Sequence, residues 1–234
     1  QLDYYYFQGT NEDSVIHYTN KVKEFAKATH QPKYYYFAWA NRLITYYLKT
    51  SRTNIALYEV QNMLKEAQEE DDKTGLSRCY NIMSQIYTIK RFDSMAFEWR
   101  LKEIELTEKY KIENYNISQT YAQIANYYIN QKKQKEALAA VEKAIATANS
   151  STQQISAKLE FVNYYSKFGD FQAAEKLLKE CQTAFEQDKR LESIKKRLYN
   201  IECLYYQQTK QYPKALEAAK MQEKEERRLS ESIL

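Results

Sequence analysis

Residues Phe168–Ala174 read Phe-Gly-Asp-Phe-Gln-Ala-Ala, and this stretch decides how the rest of the chain is interpreted. The Gly169-Asp170 pair is a typical turn signal between two periodic segments. An aromatic residue follows the turn, and a new helix then opens on small residues. The stretch therefore predicts two helices joined by a tight turn.

The same pattern occurs five times along the chain. With Tyr165 as the reference, tyrosines recur at intervals of 37 to 41 residues, and we call them the anchor tyrosines: Tyr47, Tyr87, Tyr128, Tyr165 and Tyr206. Nine residues after each anchor stands an alanine: Ala56, Ala96, Ala137, Ala174 and Ala215. Positions three, four and seven before the anchors are mostly apolar or small, which traces one helix face. Each repeat is thus predicted to be helix–turn–helix, with the tyrosine filling space beside the alanine.

The composition supports an all-α fold. The chain has 3 glycines, 2 prolines and 23 tyrosines among 234 residues. A sheet protein of this size needs many tight turns, and such turns need glycine or proline. Three isolated glycines also build no phosphate-binding loop. His17 and His30 stand too far apart for a two-histidine metal motif. The sequence therefore predicts no catalytic residue, no metal and no cofactor, and hence a non-enzymatic segment.

The charges and thiols point to no further chemistry. The net charge is +4 at 28% charged residues, and the basic clusters are interspersed with or followed by acids, so no nucleic-acid binding by this segment is expected. Cys79, Cys181 and Cys203 form no C-x-x-C motif and are expected to be buried thiols. The alternative is a disulfide or redox pair between Cys181 and Cys203, which lie near one interhelical seam.

The repeated alanines, the anchors and the Phe-Gly-Asp-Phe turn resemble the tetratricopeptide repeat (TPR) family. The resemblance implies a right-handed superhelical array of antiparallel helix pairs, an α-solenoid with about five full repeats and a partial N-terminal one. It implies one domain over residues 1–234, with repeats at about 1–30, 37–70, 77–110, 118–151, 155–188 and 196–230. Phe92 follows its anchor by five residues instead of six, so the second full repeat is expected to have a turn one residue tighter.

The two ends and two aromatic clusters carry further expectations. The partial repeat is predicted to contain a stub helix, Asp3–Gln8, and a helix from about Glu12 to Ala28. The chain is expected to be a piece of a longer protein. The clusters Tyr4–Phe7 and Tyr34–Phe37 are too long for one helix face, so some of these rings are expected to be exposed, at a contact surface or where helices end on their neighbours.

The TPR resemblance also implies where a ligand would bind. In that family the first helix of each repeat lines a concave groove, at positions two and six before the anchor and one and two after it. Here these positions are rich in carboxamides, and the predicted ligand-binding residues are Asn41, Asn81, Gln85, Asn126, Asn130, Asn163, Lys167, Asn200 and Gln207. A carboxamide both donates and accepts hydrogen bonds, which suits an extended peptide. The alternative is that these side chains are solvated surface or contact neighbouring helices. The predicted face is not strongly basic and lacks the pattern by which some TPR domains clamp a C-terminal carboxylate.

The predicted function is non-catalytic binding of a peptide or protein in this groove, with a homodimer as a further possible partner. The repeat style resembles the TPR sensor regions of bacterial, Bacteroidetes-type signal-transduction proteins, in which an array precedes a membrane span and a histidine kinase or LuxR-type output. That resemblance implies an extracytoplasmic sensor domain, attached to the membrane only through a span outside this segment. The alternative is a cytoplasmic TPR interaction scaffold or part of a peptide-responsive transcription regulator.

Overall fold

The computed structural model describes residues 11–114 and 116–231, with side chains up to Arg228. Within these ranges the chain forms helices and turns and no strand. The stub helix predicted at Asp3–Gln8 and the Tyr4–Phe7 cluster lie outside the described residues. The helices are α1 Glu12–Ala28, α2 residues 32–49, α3 Thr53–Glu69, α4 Lys73–Ile89, α5 Asp93–Tyr110, α6 Ile117–Asn130, α7 Gln134–Ala146, α8 Ser151–Phe168, α9 Phe171–Gln187, α10 Lys195–Gln208 and α11 Tyr212–Glu231. Helix α2 contains a π-helical turn at Trp39–Ile44, and a 3-10 helix, Lys189–Ile194, precedes α10.

The helices pack in adjacent pairs, as expected for TPR-like repeats. The pairs are α2–α3, α4–α5, α6–α7, α8–α9 and α10–α11, with α1 packed on α2. The chain divides into a first unit, Gln1–Asn114, and a second unit, Tyr115–Leu234. In the first unit the first helices α2 and α4 are neighbours, and in the second unit α8 contacts both α6 and α10. The all-α, TPR-like fold is confirmed, whereas the assignment of residues 1–234 to one domain with the repeat limits given above stays a prediction.

The turns within the repeats share one backbone geometry. The fourth residue after each anchor has a positive φ: Ser51, Arg91, Lys132, Gly169 and Lys210. The next N–H donates to the carbonyl of the anchor tyrosine at 2.8–2.9 Å in all five turns. This bond closes the helix end in the manner of a Schellman motif. The anchor position is therefore also the backbone acceptor that ends the first helix of each repeat.

The expectation of a tighter turn in the second full repeat is wrong. Arg91 takes the same left-handed position as Ser51, with a φ of 63° against 59°. Phe92 is the N-cap of α5, and its N–H bonds to the Tyr87 carbonyl like its equivalents. The backbone bond fixes the length of the turn. The aromatic residue Phe92 lies at the N-cap, whereas its counterpart Phe171 is the first residue of α9.

The repeated alanines fill the small sites between paired helices. All five are 5% exposed or less. Their N–H groups donate to the N-cap carbonyl four residues earlier, so each alanine also belongs to the first turn of its helix. Of the anchors only Tyr47 is fully buried, and the other four are half-buried. In four repeats the preceding residue is also a tyrosine, and the two rings meet edge to face, with centroids 5.4–6.3 Å apart.

Gly75 lies inside a helix, where it has a packing role. It lies in the first turn of α4, where its N–H donates to the Asp72 cap at 2.6 Å. A Cβ at this position would lie 2.8 Å from the ring of Tyr36, which is fully buried. Glycine therefore lets the Tyr36 ring lie directly on the backbone of α4.

A cluster of aromatic and charged side chains joins α1, α2 and α3 in the first unit. The ammonium of Lys23 lies 3.3 Å from the centre of the Trp39 ring, and burial lowers the pKa of this lysine. The indole N–H of Trp39 donates to Glu59 at 2.8 Å, and the Tyr35 hydroxyl donates to Glu66 at 2.6 Å. Each polar tip of these buried rings thus has a partner on α3.

Candidate functional site

The nine predicted ligand-binding residues all lie on the first helices of the repeats. Six are exposed: Asn41, Gln85, Asn130, Lys167, Asn200 and Gln207. Asn81 and Asn126 are half-buried, and Asn163 is buried. The structure brings five of them together in two groups: Asn81 and Gln85 in the first unit, and Asn126, Asn130 and Asn163 in the second. Their binding of a ligand stays a prediction.

In the first unit the carboxamides gather around the buried carboxylate of Glu103. The Asn81 amide donates to both oxygens of Glu103 at 3.2 Å, and Asn114 donates to Oε1 at 2.8 Å. Gln85 in turn donates to the side-chain oxygen of Asn81, Oδ1, at 2.6 Å. Asn41 is separate from this group and accepts a 3.4 Å hydrogen bond from Arg78. A carboxylate that is 1% exposed needs such donors, so Asn81 has a structural role.

In the second unit Glu160 of α8 is the corresponding buried carboxylate. Asn126 of α6 and Asn163 of α8 donate to its Oε2 at 3.5 Å and 3.4 Å, and Arg197 of α10 forms a short ion pair with Oε1. Asn130 donates to the side-chain oxygen of Asn126, Oδ1, at 3.1 Å. Glu160 thereby joins three consecutive first helices. Asn126 thus contacts a neighbouring helix, as the alternative given above expects, whereas Asn130 and Asn163 bond within their own helices.

A cleft of about 380 Å³ opens in the second unit between α6, α8 and α10. Its walls come from the N-terminal turns of these helices, the 3-10 helix and one residue of α11. The lining residues are Ser118, Gln119, Ala122, Thr152, Gln153, Ser156, Ala157, Ser193, Ile194, Lys196, Arg197, Asn200 and Gln222. Asn200 is the one predicted residue among them. The lining is rich in hydroxyl and carboxamide groups, which can donate and accept hydrogen bonds along a polypeptide.

Two cations stand in this cleft, each paired with a carboxylate. Lys196 donates to Glu226 of α11 at 2.7 Å, and this bond lowers the pKa of Glu226. Arg197 pairs with the buried Glu160, while its own Nε is buried without a hydrogen-bond partner among the described residues. The cleft residues therefore include donors that are only partly used by the protein itself.

The prediction from sequence missed most of this cleft because it stopped one helical turn short. Gln119, Ser156 and Arg197 all stand nine residues before an anchor, one turn upstream of the positions that were considered. The same offset gives Arg78 in the first unit, whose pKa is lowered by burial. Extending the repeat by three residues towards the N-terminus would have found these side chains.

The first unit has a different, largely apolar cleft of about 410 Å³. It lies along α1 and the start of α2 and is lined by Tyr18, Lys21, Val22, Phe25, Ala26, Gln31 and Tyr34. Phe25 is 67% exposed and Tyr34 is 56% exposed. In the Tyr34–Phe37 cluster the first and last rings are exposed and the middle two are buried, which confirms the expectation that some of these rings would reach the surface.

The cysteines and the possible metal ligands of the described residues point to no further site. All three cysteines are free thiols, so the alternative of a Cys181–Cys203 disulfide is absent from the structure. Burial raises the pKa of Cys181 to about 11. Among the described residues no three His, Cys, Asp or Glu side chains are placed to hold a metal ion. No helix of residues 11–114 or 116–231 is both long and apolar enough to span a bilayer.

Comparison with known proteins shows the fold and no closer relationship. No protein-family model and no curated protein matches the sequence. BtubC (BKLC) from P. vanneervenii superposes with a TM-score of 0.65 at 15% identity, over 93% of this chain and 92% of that one. RapI in its apo form superposes with a TM-score of 0.69 at 13% identity, over 97% and 81%. The TPR-like repeats of a kinesin light chain from Podosopora anserina give 0.56 at 13%, over 82% and 95%. The chain is therefore similar in fold to TPR-like helical-repeat proteins.

Proposed function

We propose that this chain is a non-catalytic helical-repeat domain that binds a peptide or protein segment. The observation that carries the proposal is the 380 Å³ cleft between α6, α8 and α10, with its polar lining. Gln119 and Asn200 are exposed on two of the three helices that form it. Such groups can pair with the alternating N–H and C=O groups of an extended chain.

The cleft residues suit this role better than the asparagines predicted from sequence. Asn81, Asn126 and Asn163 already donate to buried carboxylates, so a ligand could recruit them only by taking a donor away from Glu103 or Glu160. Such a loss is costly for a buried charge. Gln119 and Asn200 are exposed, so a ligand can pair with them without uncovering a buried charge.

Peptide display tests the proposal. A randomised 12-residue library is selected on the immobilised protein, and enriched peptides are measured by fluorescence anisotropy. Gln119→Ala should weaken binding about fivefold to tenfold, the effect of one lost hydrogen bond. Gln131→Ala is the matched control, because Gln131 is an exposed glutamine just after α6 and outside the cleft. A selection that enriches no peptide, or equal affinities for the two variants, would contradict the proposal.

We further propose that the domain is the sensor or interaction region of a larger bacterial signal-transduction protein, extracytoplasmic and coupled to a histidine kinase or LuxR-type output. Its support is the resemblance of the repeats in sequence style. The complete coding sequence tests it. We expect about 20 consecutive apolar residues followed by a kinase or DNA-binding domain. A reading frame with neither would favour the cytoplasmic scaffold.

A further inference from the structure

The side chains that line the cleft of the second unit are basic or uncharged. Its lining includes Lys196 and Arg197 and no aspartate or glutamate. It also lies at the N-terminal turns of α6, α8 and α10, which are 14, 18 and 14 residues long. Helices of this length present partial positive charge at their N-termini, and here three of them face one cavity. The cavity, the ammonium of Lys196 and the helix ends all favour an anionic ligand.

One carboxylate of the protein already stands at the edge of this cleft. Gln222 of α11 is part of the lining, and Glu226 follows it by one helical turn on the same helix. Glu226 accepts the 2.7 Å hydrogen bond from Lys196. In this position Glu226 supplies the group that a ligand carboxylate would otherwise bring to Lys196.

The two ion pairs differ in how easily they can exchange. The Lys196 and Glu226 side chains are 39% and 60% exposed, so separating them leaves both charges in water. Glu160 is 4% exposed, and taking Arg197 away would leave a buried carboxylate without its cation. Lys196 can therefore change partners, while Arg197 stays with Glu160, whose negative charge offsets its own.

We propose that the cleft of the second unit selects a peptide segment that carries a carboxylate, and that Glu226 competes with this carboxylate for Lys196. This inference rests on the proposed peptide-binding function. The ligand carboxylate comes from an aspartate or glutamate side chain or from the C-terminus of the peptide, since both present the same acceptor oxygens. Glu226 then sets a threshold, because a ligand binds only if its carboxylate displaces an internal one.

The experiment uses the peptide that binds most tightly in the display selection. It is synthesised in two forms, an acidic form with its own Asp and Glu residues and a neutral form with each of them changed to Asn or Gln. Each form is made with a free and with an amidated C-terminus. The acidic form should bind at least about tenfold more tightly than the neutral amidated form, and higher salt should reduce the difference. A preference that depends on the free C-terminus alone would identify the terminal carboxylate as the recognised group.

Two substitutions separate recognition from competition. Lys196→Gln should bring the affinity for the acidic peptide close to that for the neutral one. Glu226→Gln should raise the affinity for the acidic peptide about threefold and leave the neutral peptide unchanged. Glu223→Gln is the control, because it removes the same charge from the same helix one turn away from Glu226, at a side chain that pairs with Arg227. These side chains are on the surface, and circular dichroism checks that each variant is folded.

The outcomes distinguish the two levels of the proposal. Peptides that bind without any preference for acidic groups would overturn the inference and leave the peptide-binding function in place. The same holds if Glu226→Gln and Glu223→Gln raise the affinity equally, because the effect would then be one of net charge. If the display selection enriches no peptide at all, both the inference and the proposed function fail.

Discussion

Gly75 illustrates how one missing side chain supports the contact between two repeats. The ring of Tyr36 in α2 lies on the backbone of α4 at this point, and the Tyr36 hydroxyl donates to Glu70, the C-cap of α3, at 3.0 Å. The ring is fully buried, so it has no free space to move into. The glycine thus serves α2–α4 packing, which no turn signal in the sequence could reveal.

Gly75→Ala should destabilise the protein by about 1–3 kcal/mol, the usual cost of overpacking. The sign makes this prediction sharp, since alanine in an uncrowded helix is about 1 kcal/mol more favourable than glycine. Urea unfolding measures the change. In a Tyr36→Leu background the same substitution should cost much less, and an unchanged cost there would show that the Tyr36 ring is not the cause.

At the level of single residues, the sequence predicted which helix a side chain lies on better than which group it contacts. The periodicity placed the alanines, and the carboxamides that were predicted to face a groove, on the correct helices. It could not show that Glu103 and Glu160 are buried, because a glutamate on an amphipathic helix is normally solvated. Because these two carboxylates are buried, Asn81 and Asn126 donate hydrogen bonds to them. The burial itself results from packing against other helices, which the local sequence does not show.

At the level of the element, the joints between helices explain how the chain manages with so few glycines. Among the described residues, seven other than glycine adopt a positive φ: His30, Ser51, Asp71, Arg91, Lys111, Lys132 and Lys210. For residues with a Cβ this conformation costs about 1–2 kcal/mol each. The Schellman-type backbone bonds and the packing of the paired helices maintain the turns against this cost. Among the described turns with a positive φ, only the one at Gly169 has the glycine that this conformation favours.

Lys132→Gly should therefore stabilise the protein by about 1 kcal/mol, because glycine removes the left-handed penalty at a φ of 57°. Lys133→Gly is a matched control, since the next residue is also an exposed lysine but has a φ of −86°. It should give no gain. Thermal unfolding compares the two variants, and an equal rise in Tm for both would contradict the strain argument.

The predicted helices were largely correct because their signals are local. The helix predicted from about Glu12 to Ala28 occupies Glu12–Ala28, and the pattern of anchors and alanines located the turn in each full repeat. The wrong expectation, a tighter turn at Phe92, came from using an aromatic side chain to count turn length. A turn closed by backbone groups leaves no such mark in the side chains.

At the level of the whole molecule, the contacts divide the chain between Asn114 and Tyr115. The Asn114 side chain bonds to Glu103, within the first unit. The second unit has a core of its own, formed by residues of α8, α9, α10 and the 3-10 helix. Helical-repeat proteins gain stability mainly from neighbouring repeats, so a group of three repeats can hold such a core.

Residues 115–234, produced alone, should fold and unfold cooperatively in urea, as followed by circular dichroism. A shorter chain, residues 134–234, is the control. It lacks α6 and so uncovers the face of α8 on which α6 packs, and we expect a clear loss of stability. If residues 115–234 show no cooperative transition, the division into two compact units does not describe their folding.

Trp39, in the cluster of aromatic and charged side chains that joins α1, α2 and α3, offers a way to follow unfolding in the intact chain. The protein has two tryptophans, Trp39 and Trp99, and both belong to the first unit. Trp99 packs against Tyr80 with ring centres 5.5 Å apart, and the Lys102 ammonium lies 4.1 Å from its ring. Indole emission is therefore an intrinsic spectroscopic reporter of residues 1–114 alone, while far-ultraviolet ellipticity averages over the whole chain. Recording both signals from one sample gives the first unit a readout of its own without any label.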